Sequence, residues 1–449
     1  MPYNPFDKPI GTPLTIDDLR LLITRSVSEG YFVEYKSQMQ TNEKIAKSIA
    51  ALANTYGGWY FVGVEADRTH NVATNICGFS LATCADPIAT VREVARSRIS
   101  PTPIFYSEVV NITNDLIVLV IYVPDEQDTP FITSNGKIYR RVADSSHPES
   151  EKDRYVVDRL YDRQRQHAKQ FERFFHNSPT RYSSNQLAWL TLVLSPYPSG
   201  LIDRYSVLYP KNVEQLFLRS QQPIDLYVGE KIIGNTTLSF TSVQPTNDSL
   251  VLRQVMPSHV AFYSLTLELF VDGSAKIQIP IPLADLPSIS HELENFKSAN
   301  AKEALQQFVN VQSAYLINFF NIGQLWKATY ALLGFYLNWL GSDISLIPDI
   351  KFAFHLQNVR RCVPFLDMDE WGTHVKRFGL PILFTDTVNV PNEPGKGYIH
   401  SVVENGHDLW SILGKEIGLA SGLAGNLIPA AILNSLLDIQ SIPPDWLTI

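Results

Sequence analysis

The sequence predicts an α/β (α+β) domain with a mixed sheet at its N-terminus, followed by a β-then-α region. Three observations carry this. From Tyr31 to Val64 a strand, a helix and a second strand follow one another, read from aromatic and β-branched residues, a helical apolar face and an apolar run in turn. Beyond about Ser178 charges thin out and β signals dominate, with the clearest hairpin at Asp272-Gly273. From Ser288 to Leu340 the chain turns helical and rich in aromatic residues.

In chain order, Thr15 is placed to cap a helix running through Leu19 to Ile23, with Asp17 and Asp18 in its first turn. Tyr31, Phe32, Val33 and Tyr35 suit a strand. Thr41 or Asn42 can cap the next helix, whose inner face is Ile45, Ile49 and Leu52. Asn54 to Gly58 is a tight turn in which two glycines can take positive φ. Trp59 to Val64 is apolar enough to be buried on both faces, and Glu65 and Asp67 stand where it ends.

A polar loop through Asn75 and the short run Ile76 to Phe79 lead to a helix over Ala85 to Ile99. Its outer face carries Arg92 and Arg96 at i, i+4, followed by Arg98. Ser100 to Pro103 stops that helix. Ile104 to Ile112 and Leu116 to Val123 pair across a turn at Thr113 to Asp115. After a loop over Asp125 to Thr129, a hairpin turns at Ser134 to Gly136 and ends in Lys137 to Val142. Glu149 to Phe175 reads as a charged surface helix leaving the domain. The resulting division is a domain over 1–148, a linker over 149–178 and a region over 179–449.

In that last region Leu187 to Leu194 reads as a buried strand, Tyr205 to Val255 as further strands, and Val260 to Ile281 as the Asp-Gly hairpin. Tyr315, Phe319, Phe320, Trp326, Tyr330, Phe335, Tyr336 and Trp339 form an aromatic stripe, either packed core or a surface for self-association. Leu346 to Pro381 mixes short strands and helix, and Thr385 to Tyr398 reads as loop. Ile417 to Leu437 is uncharged and long enough to span a bilayer, but its glycines, asparagines and Pro429 favour a packed helical pair over a membrane span.

Glu29, the Glu34-Tyr35-Lys36 strand, the Ala51 to Gly58 run A-L-A-N-T-Y-G-G and Val62-Gly63-Val64 together resemble the AlbA-like domain of the Schlafen family. The resemblance covers about the first third of the chain, and Tyr139 with Arg140 or Arg141 is similar to the family's late aromatic-arginine strand. It implies a nucleic-acid-processing domain. In active members two glutamates at this spacing and a later acidic residue form a metal-dependent nuclease centre. The resemblance therefore implies that Glu29, Glu34 and either Glu65 or Asp67 hold Mg²⁺ or Mn²⁺. Glu65 stands where the family commonly has aspartate.

The residues themselves permit that chemistry. Glu34 and Lys36 point to one face of a regular strand, so a carboxylate could hold a cation while the ammonium steadies charge on phosphate. Glu29, five residues before Glu34, needs a bend at Gly30 to join them. In most chains such a pair is an ordinary surface ion pair. Lys44, Lys47, Arg92, Arg96, Arg98, Arg140 and Arg141 are candidate phosphate contacts, each weighed against a plain solvated face.

The net charge of −8 argues against a generic polycation but allows a local basic groove. The three cysteines form no C-x-x-C pair, so a reducing cytoplasm is the simplest setting. The first ten residues lack a secretory pattern. Pro394 to Gly397 lacks the rest of a P-loop, and there is no H-E-x-x-H or G-x-S-x-G. His355 and His374, flanking Asp367, Asp369 and Glu370, lack a fixed metal spacing and are expected to serve as caps or surface. Three functions follow: a metal-dependent endoribonuclease on structured RNA such as tRNA, a non-catalytic regulator binding RNA or DNA, with RNA ahead of DNA, and a sensor or structural component that binds a partner protein, in phage defence. A membrane partner is not expected.

Overall fold

The structure, a computed structural model, describes residues 3–8, 10–67, 69–113, 115–125, 129–142, 147–176, 188–197, 208–222, 224–228, 231–236, 238, 240–254, 265–309, 317–341, 349–390, 397–399, 418 and 423. Two units divide the chain, one mainly of residues 1–170 and the other mainly of 171–449.

In the first unit α1 (Ile16–Thr24) starts in a capping box. The Thr15 hydroxyl accepts from the Asp18 amide, and the Asp18 carboxylate accepts from the Thr15 amide. The chain then forms β1 (Val33–Lys36), α2 (Asn42–Ala53), β2 (Gly58–Val62), β3 (Val64–Ala66), β4 (Ala73–Ile76), β5 (Phe79–Ser80), α3 (Pro87–Arg98), β6 (Ile99–Ser100), β7 (Tyr106–Asn111) and β8 (Leu116–Val123). Short strands β9 (Ile132–Thr133), β10 (Tyr139–Arg140) and β11 (Glu149–Ser150) precede α4 (Arg154–His176). Thr41 stands at the N-cap of α2 but makes no side-chain cap bond, whereas Asp86 caps α3. β4 pairs with β3, and its first three residues, 73–75, lie in the stretch expected as loop.

The main sheet is mixed: β1 and β2 are parallel, while β8 is antiparallel to β2, β5 and β7. β8 pairs β7 along one edge and β2, then β5, along the other. Alternation then sorts the core. Tyr60, Val62, Leu119 and Ile121 pack with α2 and α3 on one face. Trp59, Phe61, Val120 and Tyr122 pack on the other with α1 and the N-terminal residues Phe6 and Ile10.

The turn into β2 requires glycine. Gly58 has φ +132°, and a Cβ there would lie 2.3 Å from the Phe32 carbonyl oxygen. That close approach lets β1 lie against β2, with the Trp59 amide donating to Phe32 O at 2.7 Å.

The second unit holds β12 (Ala188–Tyr197), α5 (Pro210–Ser220), β13 (Ile224–Val228), β14 (Lys231–Thr236), β15 (Ser242–Pro245), β16 (Ser249–Gln254), β17 (Leu265–Phe270) and β18 (Ala275–Ile281). It continues through α6 (Leu286–Glu292), α7 (Ala299–Val309), β19 (Asn318–Asn321), α8 (Ile322–Gly341), β20 (Asp349–Gln357), β21 (Cys362–Phe365), α9 (Asp369–Phe378), β22 (Thr387–Val390) and β23 (Gly397–Ile399). Eight strands form its large sheet, in the order β15-β16-β17-β18-β12-β20-β22, with β23 also on β20.

Here sequence expectation and structure part in two places. α5 lies where strands with polar loops were expected; Pro210 at its first turn fits a helix start. β22 and β23 lie in the stretch read as loop, completed by pairing with β20, a long-range contact no local signal reports. The aromatic stripe is interior. Phe319, Phe320, Trp326, Tyr330, Phe335, Tyr336 and Trp339 are all buried, and the Tyr336 hydroxyl donates to Gly273 O at 2.9 Å. Of the two readings, these seven rings are packed core; Tyr315 lies outside the described residues. So do Ser178, Leu187, Val260, Pro394 to Lys396 and, but for Gly418 and Leu423, Ile417 to Leu437. Among the described residues no helix is long and apolar enough to cross a membrane.

Candidate nucleic-acid site and a buried ion cluster

β1 begins only at Val33, because Gly30 to Phe32 bend, with the Gly30 amide donating to Val33 O at 3.1 Å. The bend turns Glu29 back along the strand. Its Oε1 accepts from the Tyr35 amide at 2.6 Å and lies 3.7 Å from Lys36 Nζ. Glu34 points under α2 and is 1% exposed. Its Oε1 accepts from the Ser48 hydroxyl at 2.9 Å and lies 3.0 Å from Lys36 Nζ, and its Oε2 accepts from Arg141 Nη1 at 2.9 Å.

Arg141 is the hub. It is 1% exposed, its Nε donates to Gly30 O at 2.7 Å, and its Nη2 donates to Val33 O at 3.0 Å. The Thr55 hydroxyl accepts the Arg141 amide at 2.8 Å. One guanidinium thus ties the late strand to the bend and to Glu34, a bonding set that planar, multi-donor arginine satisfies and lysine does not. Nearby, Asn54 holds the hairpin of β9 and β10: its Nδ2 donates to Phe131 O and Tyr139 O, and its Oδ1 accepts from the Phe131 amide.

The cluster balances two carboxylates against two cations. Burial raises the Glu29 carboxyl above the ordinary carboxylate range, opposed by Lys36, the Tyr35 amide and Arg141 and reinforced by Glu34. Tyr60 stands opposite Glu34 in the β1–β2 register. Its hydroxyl is buried and has no hydrogen-bond partner among the described residues, and burial followed by the Glu34 charge raises its phenol.

Glu65 and Asp67 are engaged elsewhere. Glu65 is exposed on β3 and accepts from Asn75 Nδ2 at 3.0 Å. The Asp67 carboxylate accepts from the Thr69 and His70 amides and meets His70 Nδ1 at 2.8 Å, which lowers its pKa. Among the described residues no three His, Cys, Asp or Glu side chains gather as a metal cluster. The expected Mg²⁺ or Mn²⁺ centre of Glu29, Glu34 and either Glu65 or Asp67 therefore does not fit this arrangement. A hard cation needs several free oxygens, and both Glu34 oxygens already face cationic donors. Asp367 and Asp369 serve in local hydrogen bonds: Asp367 accepts from the Lys297 and Ser298 amides, and Asp369 from the Ser298 hydroxyl.

The basic candidates separate by environment. Arg141 belongs to the cluster and is too buried to meet phosphate. Arg140 pairs with Glu151 at 3.0 Å, Arg96 with Glu93 at 2.8 Å, and Lys47 lies over the Tyr139 ring at 5.0 Å. Lys44 on α2 and Arg92 on α3 are exposed, and Arg98 is half-buried at the end of α3.

Sequence reasoning missed an aromatic platform beside the bend. Tyr31 and Tyr56 are 37% and 53% exposed. Their rings are 6.0 Å apart, each within 6.4 Å of Phe32, and Phe32 stacks on Tyr3 at 5.1 Å. The signal was present: aromatic residues flank both Gly30 and Gly57, in turns rather than in core-facing strand positions. Ser48 was also missed, although a hydroxyl between Ile45 and Ile49 on the buried side of α2 marks a polar partner inside.

Residues 29–150 match the family model described as Schlafen, AlbA_2, so the first unit carries a Schlafen AlbA-like domain; the match ends there. No curated protein matches the chain. Among solved structures it is similar to the DIP2311 protein of Corynebacterium diphtheriae, at 18% identity over 44% of this chain and 36% of that one, with a TM-score of 0.20. The chain thus spans about a third of that protein's length. It is also similar to the N-terminal domain of a Nitrosomonas europaea protein named as related to the ATP-dependent DNA helicase RecG. There the identity is 20% over 29% of this chain and 90% of that one, with a TM-score of 0.21. At those TM-scores neither likeness bears on fold or function.

Proposed function

We propose that the AlbA-like unit binds single-stranded nucleic acid, RNA ahead of DNA, and does so without cutting it. The observation that carries this reading is the platform of Tyr31 and Tyr56, two solvent-facing rings held by Phe32 and Tyr3. Unpaired bases stack on such rings, whereas a duplex hides its base faces. Lys44 and Arg92 supply exposed positive charge in the same unit. The buried cluster has a structural part: it holds the bend that presents the platform.

A metal-dependent endoribonuclease acting on structured RNA is the finer reading of the family resemblance. It requires Arg141 and Lys36 to release Glu34. One experiment separates the two. Fluorescence anisotropy with labelled single-stranded RNA, single-stranded DNA and duplex DNA, over a salt series, should show salt-weakened binding that favours the single strands. A Tyr31→Ala/Tyr56→Ala variant should lose about tenfold or more in affinity. Equal binding by the variant, or preference for duplex, sinks the platform. Cutting by the wild-type protein with Mn²⁺ that EDTA abolishes replaces the binding reading with the nuclease.

A further inference from the structure

The face of the main sheet away from α2 and α3 contains a pocket of about 220 Å³. Its floor is a cross-strand row, Trp59 on β2 opposite Tyr122 on β8, and Tyr122 opposite Tyr106 on β7. Its roof is the N-terminal segment, with Phe6, Ile10 and Leu14 among the lining residues. The Phe6 ring meets Trp59 edge-on at 5.1 Å, and Trp59 meets Tyr122 at 4.8 Å.

The roof is anchored at several points. Trp59 Nε1 donates to Tyr3 O at 2.9 Å, Asn4 Nδ2 to Lys8 O at 2.8 Å, and Arg25 Nη1 to Pro5 O at 2.8 Å. Lys8 Nζ pairs with Asp18 at 2.6 Å and donates to Pro13 O at 3.1 Å. The pocket is therefore a built space between two ordered layers.

Glu108 is the one acidic side chain in this aromatic lining. It sits on β7, the edge strand, and its Oε2 accepts from the Leu14 amide at 3.1 Å. Its other oxygen makes no hydrogen bond among the described residues. That oxygen keeps access to the pocket, where the N–H of a ligand can replace water as its donor. Burial raises the pKa of Glu108, with the Leu14 amide and Lys8 opposing and Asp18 reinforcing.

We infer that this pocket binds a single flat heterocycle bearing an exocyclic amino group, of nucleobase size, with the rings of Trp59, Tyr106 and Tyr122 around it and the amino group donating to Glu108. The volume is below the roughly 300–1,000 Å³ that drug-sized ligands fill, so one ring system is the scale that fits. Aromatic walls select a flat ring, and an acceptor with one open oxygen selects a donor. This inference does not rest on the nucleic-acid reading, because Tyr31, Tyr56, Phe32 and Tyr3 are not among the residues lining the pocket and its probes are free nucleosides.

The test is calorimetric titration of the full chain with adenosine and with purine riboside, which lacks only the amino group. Adenosine should bind, with purine riboside at least about tenfold weaker. In Glu108→Gln the amide oxygen can still accept from Leu14 while its NH₂ faces the ligand, so the gap between the two nucleosides should close. Tyr106→Leu leaves Glu108 in place; it should weaken both nucleosides and preserve the gap. Equal affinity of the two nucleosides for the wild-type protein overturns the assignment, as does a gap that survives Glu108→Gln. Absence of adenosine binding at millimolar concentration overturns it also, whatever either variant does.

Discussion

Two acidic regions of the first unit contrast sharply. Glu29 and Glu34 converge on Lys36 and Arg141, and Glu34 is 1% exposed with both oxygens engaged. Glu65 and Asp67, a short way along the chain, hold a neighbouring asparagine and the amides of their own turn. The family resemblance places Glu29, Glu34 and one of the other two in a single metal centre. The difference teaches that what a carboxylate does is set by which donors reach it first. A buried one next to arginine becomes a structural pin; an exposed one becomes a turn fastener. The metal chemistry expected of Glu29 and Glu34 with Glu65 or Asp67 requires three carboxylates to gather, and among the described residues no such group of three forms.

The largest test of that contrast is at Glu34. Glu34→Gln leaves the Arg141 guanidinium buried with no charge partner, which costs about 3–5 kcal/mol when a buried pair is broken from one side. Urea unfolding followed by circular dichroism should show that loss. Replacing both members, Glu34→Gln with Arg141→Met, should recover part of it, because no orphaned charge remains. A single-variant loss under about 1 kcal/mol would place Glu34 among ordinary surface pairs and dissolve the contrast.

How much of this the sequence held depends on distance along the chain. The strand–helix–strand unit was legible because period two and period 3.6 are local, and the Thr15 cap likewise, though not its reciprocal bond to Asp18. The Gly57-Gly58 turn was legible because only glycine tolerates the approach to Phe32. The pairing of Glu34 with Arg141, separated by 107 residues, was not. Arg141 looked like a phosphate contact because an arginine after an aromatic residue carries no mark of burial; only the packed hairpin reveals it. For the same reason the aromatic stripe that runs through β19 and α8 read equally well as core or as interface. Helix periodicity says which residues share a face, and not what covers that face.

A smaller effect is expected at Tyr60, which tests whether the cluster is complete as built. Its hydroxyl is buried opposite Glu34 with no partner among the described residues. Tyr60→Phe removes an unsatisfied polar atom and should raise stability by about 1 kcal/mol. A loss of that size would mean the hydroxyl has a partner in solution, and the cluster would extend to it.

Glu29 should respond less than either, and with a pH signature. Its pKa is raised in the folded protein, chiefly by burial. The native state therefore holds the proton more tightly than the unfolded chain. That contribution to stability is fully present below the unfolded carboxylate pKa and is lost as pH rises through the folded value. Glu29→Gln keeps an acceptor for the Tyr35 amide and does not titrate. It should match or exceed wild type at pH 7, by no more than about 1 kcal/mol, with its relative advantage shrinking toward pH 4. Unfolding at a series of pH values checks the sign; an advantage that grows on acidification would show that Lys36 outweighs burial.

Asp67 is where the smallest effect belongs. The turn amides of Thr69 and His70 lower its pKa, so its contribution is present above the unfolded carboxylate pKa and lost as pH falls through the folded one. The His70 side chain is highly exposed, and water and salt screen that part of the interaction. Asp67→Ala should leave the thermal midpoint at pH 7 almost unchanged and leave single-strand binding at the Tyr31 and Tyr56 platform intact. Glu34→Gln should lower the midpoint under the same conditions. If Asp67→Ala lowered it equally, or abolished binding while the fold survived, the two acidic regions would be parts of one site. The separation drawn from their hydrogen bonds would then be wrong at its weaker end, the exposed turn, rather than at the buried cluster.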